Sequence, residues 1–376
     1  MSTESLVWSA ELPGVLNTYE SSTAYAYELN RLTKSNVTFS GNKLFYSNNP
    51  ESLTKANNKK MLGTDGRWLA KKSMNSNFRF YSWHANLTNE TLKHWFTIKN
   101  NGASPLTVTL KRLKVGKKYC DAQDLADYLS GVGDIKSVTV PANGWNTIVL
   151  QENIYQGQVL SAICDVEFNG SAVFYDIAVP QSFSGSISLM QVADSQADGN
   201  TLYIRGVADH SVASIVYPRT IMLSELESKR DKMMIIDMLP SKIDNNYIDN
   251  RRFINSPEVL DFKDDDGKGG YMGGCYATEY YLRIPIKNNT ETGKKNVVLR
   301  LGSSYAKYGI VVNMNNGITP TKAQRPDSVF DCETDAGCRE VIKITGIEQG
   351  ETHEIHFRMM VPGGSGSSAR FYLQFV

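Results

Sequence analysis

His353 and His356, in the run THEIHF, are the closest approach this sequence makes to a metal-binding pair. On a helix an offset of three would bring both imidazoles to one side. Here, however, Ile355, Phe357, Met359 and Val361 alternate with His356, Arg358 and Met360, the period of a strand. On a strand that offset sends the two rings to opposite faces, so they read as surface or edge histidines. DFKDDDGKGG gathers Asp261, Asp264, Asp265 and Asp266 before a glycine turn, and carboxylate oxygens so grouped could hold calcium. The run lacks the alternating spacing of an EF-hand loop and its closing glutamate. A solvated turn is therefore the expected role, with calcium the weaker alternative, and no cofactor is expected.

Cys332 and Cys338 bracket ETDAG, a short loop of turn formers in which two thiols could meet as a disulfide or remain reduced. The chain has five cysteines, Cys120, Cys164, Cys275, Cys332 and Cys338, at spacings that match no zinc or redox pattern. All five tryptophans lie in the first half. Trp83 and Trp95 flank NLTNET, where exposed rings beside polar turns would form a sugar platform and buried rings would be core. No nucleophile elbow, P-loop or dinucleotide glycine motif is present, and Ser365 in GGSGS has no neighbouring base. The expectation is a protein that is not an enzyme.

The elements that would carry these residues are strands. Val173, Tyr175, Ile177 and Val179 alternate, as do Phe371, Leu373 and Phe375, and short Gly, Asn and Pro turns such as PANG and PGGSG separate such runs. One helix is expected in CDAQDLADYLSG, with Asp121 as cap, Leu125, Tyr128 and Leu129 as the apolar face, and Gly131 at the end. ELESKRDKMM reads as a second helix or a charged linker. A length of 376 residues suits two domains, and 40 Lys+Arg against 39 Asp+Glu give no reason to expect a nucleic-acid partner. No run is long and apolar enough for a membrane span, and the start has no signal-peptide pattern, so membrane insertion is not expected.

IKNNGASPLTVTLKRL, beginning at residue 98, has an echo in IKNNTETGKKNVVLRL, beginning at 286. IYQG at 154–157 matches IEQG at 347–350, AVFYDIAV at 172–179 matches ARFYLQFV at 369–376, and NNPESL at 48–53 resembles NSPEVL at 255–260. These collinear matches predict an all-β chain of two tandem antiparallel β-sandwiches related by internal duplication, residues 1–218 and 219–376.

LFYSNNPESL, FRFYSWHANLTNETLKHWFTIKNN, PLTVTLKRLKVGKKY, LYIRGVADHSVASIVY, YYLRIPIKNNT and VPGGSGSSARFYLQF together resemble a poorly characterised family of Firmicute envelope proteins, often found beside copper-amine-oxidase N-terminal-like or S-layer-homology modules. The resemblance implies an envelope-associated β-protein and no reaction. A copper amine oxidase would need an Asn-Tyr-Asp/Glu context for its cofactor tyrosine; Asn246-Tyr247-Ile248-Asp249 does not supply it.

The function expected from this reading is structural: a self-assembling building block of a bacterial surface, spore envelope or filament, made in the cytoplasm, with itself as partner. Leu6, Val7, Trp8 and Leu12 near the amino terminus would dock by strand addition, within the chain or between chains. The alternative is a carbohydrate-binding module of the envelope, with envelope polysaccharide as partner and Trp83 and Trp95 as its contacts.

Overall fold

A computed structural model describes residues 3–6, 26–27, 37–54, 66–119, 121–193, 205–227, 232–236, 276–303, 308–313, 328–332, 337–360, 363 and 369–376. The strands begin with β1 (Thr3–Leu6), β2 (Ala26–Tyr27), β3 (Val37–Ser40), β4 (Lys43–Ser47), β5 (Ser52–Thr54), β6 (Arg67–Met74), β7 (Phe78–Leu87), β8 (Leu92–Asn100) and β9 (Leu106–Gly116). Helix α1 (Ala122–Leu129) precedes β10 (Asp134–Val140), β11 (Trp145–Ile154), β12 (Val159–Phe168), β13 (Ala172–Pro180), β14 (Gln191–Val192) and β15 (Arg205–Ala208). Then come β16 (Val212–Val216), β17 (Ile221–Met222), α2 (Leu223–Glu227) and β18 (Met233–Ile236). The last are β19 (Glu279–Lys287), β20 (Lys295–Ser303), β21 (Tyr308–Asn313), β22 (Ser328–Cys332), β23 (Gly337–Ile347), β24 (Thr352–Met360) and β25 (Ala369–Phe375). The chain is all-β, and none of its described helices is long and apolar enough to cross a membrane.

The chain divides into two compact units. One is Gly41–Ser211 with Pro257–Thr278; the other is Met1–Ser40, Val212–Ser256 and Glu279–Val376. The expected single boundary at 218 differs from this division because strand pairing is long-range. β16 runs parallel to β19 and antiparallel to β3, which gathers N-terminal and mid-chain strands into the unit of the C-terminal half. Periodicity along the sequence carries no information about such partners.

In the first unit the sheet β10-β9-β12-β7-β4-β15 faces the sheet β11-β8-β13-β6-β14. Phe45, Phe78, Phe80, Val108 and Val166 from one sheet meet Phe96, Ile98, Ile148 and Phe174 from the other in one buried core. Rings interlock across it, Phe80 lying 4.7 Å from Phe96 and Phe78 4.9 Å from Phe174 between centroids. In the second unit the sheets are β22-β21-β24-β19-β16-β3 and β1-β23-β20-β25-β18-β2, with Phe357 and Phe371 in edge contact at 5.4 Å.

The two units share a strand order. β7 pairs with β12 and β4 as β19 pairs with β24 and β16; β8 lies between β11 and β13 as β20 lies between β23 and β25. Even the short parallel additions recur, β5 on β7 and β17 on β19, β14 on β6 and β2 on β18. The IKNN echo does not mark equivalent strands. Ile98 to Asn100 close β8, whereas Ile286 and Lys287 close β19, whose counterpart is β7. The IYQG and IEQG runs do correspond, each at the end of the strand, β11 or β23, that pairs with β8 or β20. Residues 255–260 lie outside the described residues.

Helix α1 forms over the expected residues, with Leu125, Tyr128 and Leu129 buried and Gly131 at φ +80° after its end. Asp121 does not cap it through its side chain. Instead its carboxylate accepts from Tyr81 Oη at 3.1 Å and Ser161 Oγ at 2.6 Å, tying the helix start to the sheet beneath. Of ELESKRDKMM, the first residues belong to α2 and the last two open β18.

Candidate ligand-binding face

Alternation along β13 explains the site. Phe174, Asp176 and Ala178 point into the sandwich, so Val173, Tyr175, Ile177 and Val179 form the outer side of the same strand. Register extends this side across the sheet in rows. Val149, Trp95, Ile177 and Trp68 are paired neighbours in one row; Thr147, Thr97, Tyr175 and Lys71 form the next; Trp145, Lys99, Val173 and Ser73 the third. Rows two residues apart lie roughly 6.7 Å from one another.

This outer face is aromatic: Trp68, Trp95 and Trp145 are half-buried, while Val173, Tyr175, Ile177 and Thr97 between them are buried. Trp145 lies 5.3 Å from Tyr175 between ring centroids, inclined by 43°. Trp95 meets the edge of Phe183 at 5.8 Å, where residues 183–190 fold back with Ile187 and Met190 over one end of the face. At Gly66 a Cβ would strike Val179 and Met190, so a glycine permits this close cover. At the other end Trp145 and Thr147 are half-buried, and Trp145 packs against the buried Tyr175. Lys99 Nζ stands 4.9 Å from the Trp145 ring centroid, and Lys71 Nζ lies 5.4 Å from Tyr175 and 5.9 Å from Trp68.

The tryptophans expected to work together are split by the fold. Trp95 belongs to this face. Trp83 does not: it is fully buried on the opposite sheet, with its Nε1 donating to the Tyr119 carbonyl at 3.1 Å and Tyr119 packed edge-on at 5.1 Å. A ring covered on both sides offers nothing to a sugar. Trp68, Trp145 and Tyr175 were missed because they lie far from Trp95 in sequence and reach it only through β6, β11 and β13. The signal available was their alternation with polar residues in strands that also carried an inward apolar set.

Two further clusters gather chemistry-bearing groups. Between the sheets, Asp176 accepts from Ser82 Oγ at 2.6 Å and lies 2.6 Å from His94 Nε2 and 3.3 Å from His84 Nε2. His84 Nδ1 sits 2.6 Å from the Pro50 carbonyl, which can only accept, so that nitrogen carries a proton; Ser47 Oγ lies 3.0 Å from Nε2. Burial alone would raise the Asp176 carboxyl, yet His94, and hydrogen bonds from both imidazoles, hold it well below the usual carboxylate range. Ser, His and Asp here resemble a hydrolytic set by type. By geometry Ser82 donates directly to the carboxylate, and all five side chains are buried. The cluster pins β4, β7, β8 and β13 together.

On the outer side of the other sheet, Tyr128 of α1 donates to Asp165 at 2.6 Å and accepts from Arg79 at 2.8 Å, while Arg112 reaches both Asp165 and Tyr128. Arg79 also donates to the carbonyls of Ser211 and Ala277 at 2.9 and 3.1 Å. This network fastens α1. Nearby, burial pushes the Asp124 carboxyl up to about 6; Lys114 and Lys118 oppose the rise and Asp127 adds to it.

Of the remaining sequence candidates, Asp261, Asp264, Asp265 and Asp266 lie outside the described residues, as do Val7, Trp8 and Leu12. Leu6 ends β1, which pairs antiparallel with β23 of the same chain, Thr3 opposite Thr345 and Leu6 opposite Ile342. Cys332 closes β22 and Cys338 is the second residue of β23, in different sheets; their sulfurs lie outside the described residues. Cys164 is a free thiol in the core, pushed up by burial and by Asp165. His356 accepts or donates at 2.9 Å with Tyr281 and contacts Glu354. Among the described residues no group of three or more His, Cys, Asp or Glu side chains could hold a metal ion.

No protein-family model matches the chain, and no curated protein matches it. Among solved structures, the tandem CBM22-1–CBM22-2 domains of Paenibacillus barcinonensis Xyn10C align over 84% of this chain and 99% of their own, at 9% identity and a TM-score of 0.15. A laccase from Botrytis aclada aligns over 81% of this chain at 9% identity and a TM-score of 0.13, and the alignment spans about half of that enzyme, 50%. Likenesses this slight carry no argument about fold or function.

Proposed function

We propose that this is a non-enzymatic polysaccharide-binding protein of a bacterial surface, and that the outer face of the sheet β11-β8-β13-β6-β14 is its binding surface. The observation that carries the reading is the convergence of Trp145, Tyr175, Trp95 and Trp68 on one side of one sheet, interleaved with Thr97, Thr147, Lys71 and Lys99. Broad rings held by their neighbours lose little freedom when a ligand arrives, and the C–H faces of sugar rings are apolar enough to stack on them. The half-buried Thr147 hydroxyl and the ammonium groups beside the rings match the polar rim of a sugar, whereas a buried protein interface would favour a more continuous apolar centre.

The test is affinity electrophoresis and calorimetry of the full chain against a panel of polysaccharides. Trp145→Ala should abolish saturable binding while leaving the circular dichroism spectrum intact. Binding unchanged in this variant would overturn the reading.

Self-assembly is a second reading, favoured by one observation: β1 adds to β23 by antiparallel strand pairing. The same addition made between chains would link them. The corresponding edge in the first unit, β11, is guarded, since Lys136 Nζ donates to its Val149 carbonyl at 2.9 Å and Lys117 Nζ to its Glu152 and Asn153 carbonyls.

A further inference from the structure

The charge on this face narrows the ligand, an inference that rests on the polysaccharide reading. Lys71 and Lys99 flank the Trp145–Tyr175 pair, and none of the residues in the three rows is acidic. Neither lysine has a carboxylate partner among the described residues, although the chain as a whole is nearly neutral, at +1. Their contacts are with aromatic rings, at 4.9 to 5.9 Å. A cation held only over a ring is weakly committed, at about 0.5–1 kcal/mol on an exposed surface, and keeps its charge available to an anion. Elsewhere on the same unit lysines are neutralised, Lys111 by Glu167 and Lys114 by Asp127.

We infer that the face binds a polysaccharide bearing carboxylates on its sugars. Trp145, half-buried with Tyr175 buried behind it, stacks against a sugar ring, and the ammonium groups of Lys71 and Lys99 each pair with a carboxylate. Two strands and one row separate the two lysines, roughly 12 Å between their backbones, so the carboxylates engaged belong to different sugars of one chain. Such a ligand is recognised only as a polymer.

Polygalacturonate and the same polymer with its carboxylates methyl-esterified form a matched pair of probes for calorimetry with the full chain, at low and at high salt. Wild type should bind the free acid about tenfold more tightly than the ester, with the preference lost at high salt. Lys71→Gln with Lys99→Gln should equalise the two probes, while Trp145→Ala should lose both. Equal binding of acid and ester by wild type overturns this inference and leaves the polysaccharide reading intact. Binding of neither probe, nor of any neutral glycan, overturns both. Binding that survives Trp145→Ala but not the double lysine variant, or equal binding of inorganic polyphosphate, shows simple ion exchange and also overturns the carboxylate assignment.

Discussion

Asn86 and Asn288 make the same set of bonds in the two units. Each side-chain amide donates at 2.9 Å to the carbonyl of an isoleucine that closes a strand, Ile154 of β11 for Asn86 and Ile347 of β23 for Asn288. Each Oδ1 accepts from the backbone N–H and the hydroxyl of the threonine two residues on, Thr88 or Thr290. Each backbone carbonyl accepts at 2.7 Å from a glycine N–H, Gly157 or Gly350. Asn100 uses a related arrangement, with Oδ1 accepting from Gly102 N–H and Nδ2 donating to the Ser104 carbonyl. Asparagine is suited to this because one short side chain donates and accepts at once and so closes a hairpin from inside.

Asn86→Ala should therefore destabilise the first unit and Asn288→Ala the second, each by about 1–3 kcal/mol, because buried backbone groups lose partners that water cannot replace. Urea denaturation of both variants checks this. Asn289→Ala is the control: its amide bonds only to Ser224 at an exposed site, and the loss should be well under that range.

Asp176→Asn should cost about 3–5 kcal/mol at neutral pH, since it removes the charge that two buried imidazoles face. The folded carboxyl is depressed, so its contribution is complete above the unfolded value near 3.9 and is lost as pH falls. The gap between wild type and variant should narrow by about 1.4 kcal/mol per pH unit below about 3.9. Denaturation at neutral and strongly acid pH measures it; a gap independent of pH would contradict the assignment.

Asp124 titrates in the opposite sense. Its folded value is raised to about 6, so the protonated form favours folding; that stability is present at about pH 4 and lost as pH rises through 6. Asp124→Asn should raise the melting temperature at pH 7.5 and leave it unchanged near pH 4. Gly116→Ala should do the reverse of the neutral-pH gain, because a Cβ there would collide with the Asp124 carboxylate.

The strands were legible because alternation needs only neighbours in sequence: β13, β24 and β25 all lie where Val173–Val179, Ile355–Met359 and Phe371–Phe375 placed them. Partners were not. The IKNN tetrapeptide recurs because Asn100 and Asn288 both close hairpins, and a local turn device can recur on strands that differ in topology. The shared strand order is the feature that a duplication would have to explain. Trp83 and Trp95 differ for a similar reason: both alternate correctly, but whether a strand's second face meets solvent, a helix or a folded-back loop depends on segments distant in sequence. Tyr119 packs over Trp83, while residues 183–190 cover only one end of the Trp95 face.

The strand addition of β1 separates an internal role from an intermolecular one. Pairing joins Thr3, Glu4, Ser5 and Leu6 to Thr345, Ile344, Lys343 and Ile342, and its backbone hydrogen bonds do not depend on side-chain identity. Alanine substitutions in β1 should therefore have small effects, whereas deleting residues 1–6 exposes the β23 edge and removes every bond at once. The deletion variant should melt earlier than wild type, and a synthetic peptide of residues 1–12 added in excess should restore the difference by binding the vacated edge. If chains exchange β1, concentrated wild type should form linear assemblies under electron microscopy that the deletion abolishes and the added peptide caps. Assemblies that persist in the deletion variant would exclude β1 as the link. A deletion variant with unchanged melting temperature would show that the β1–β23 pairing contributes nothing to the fold.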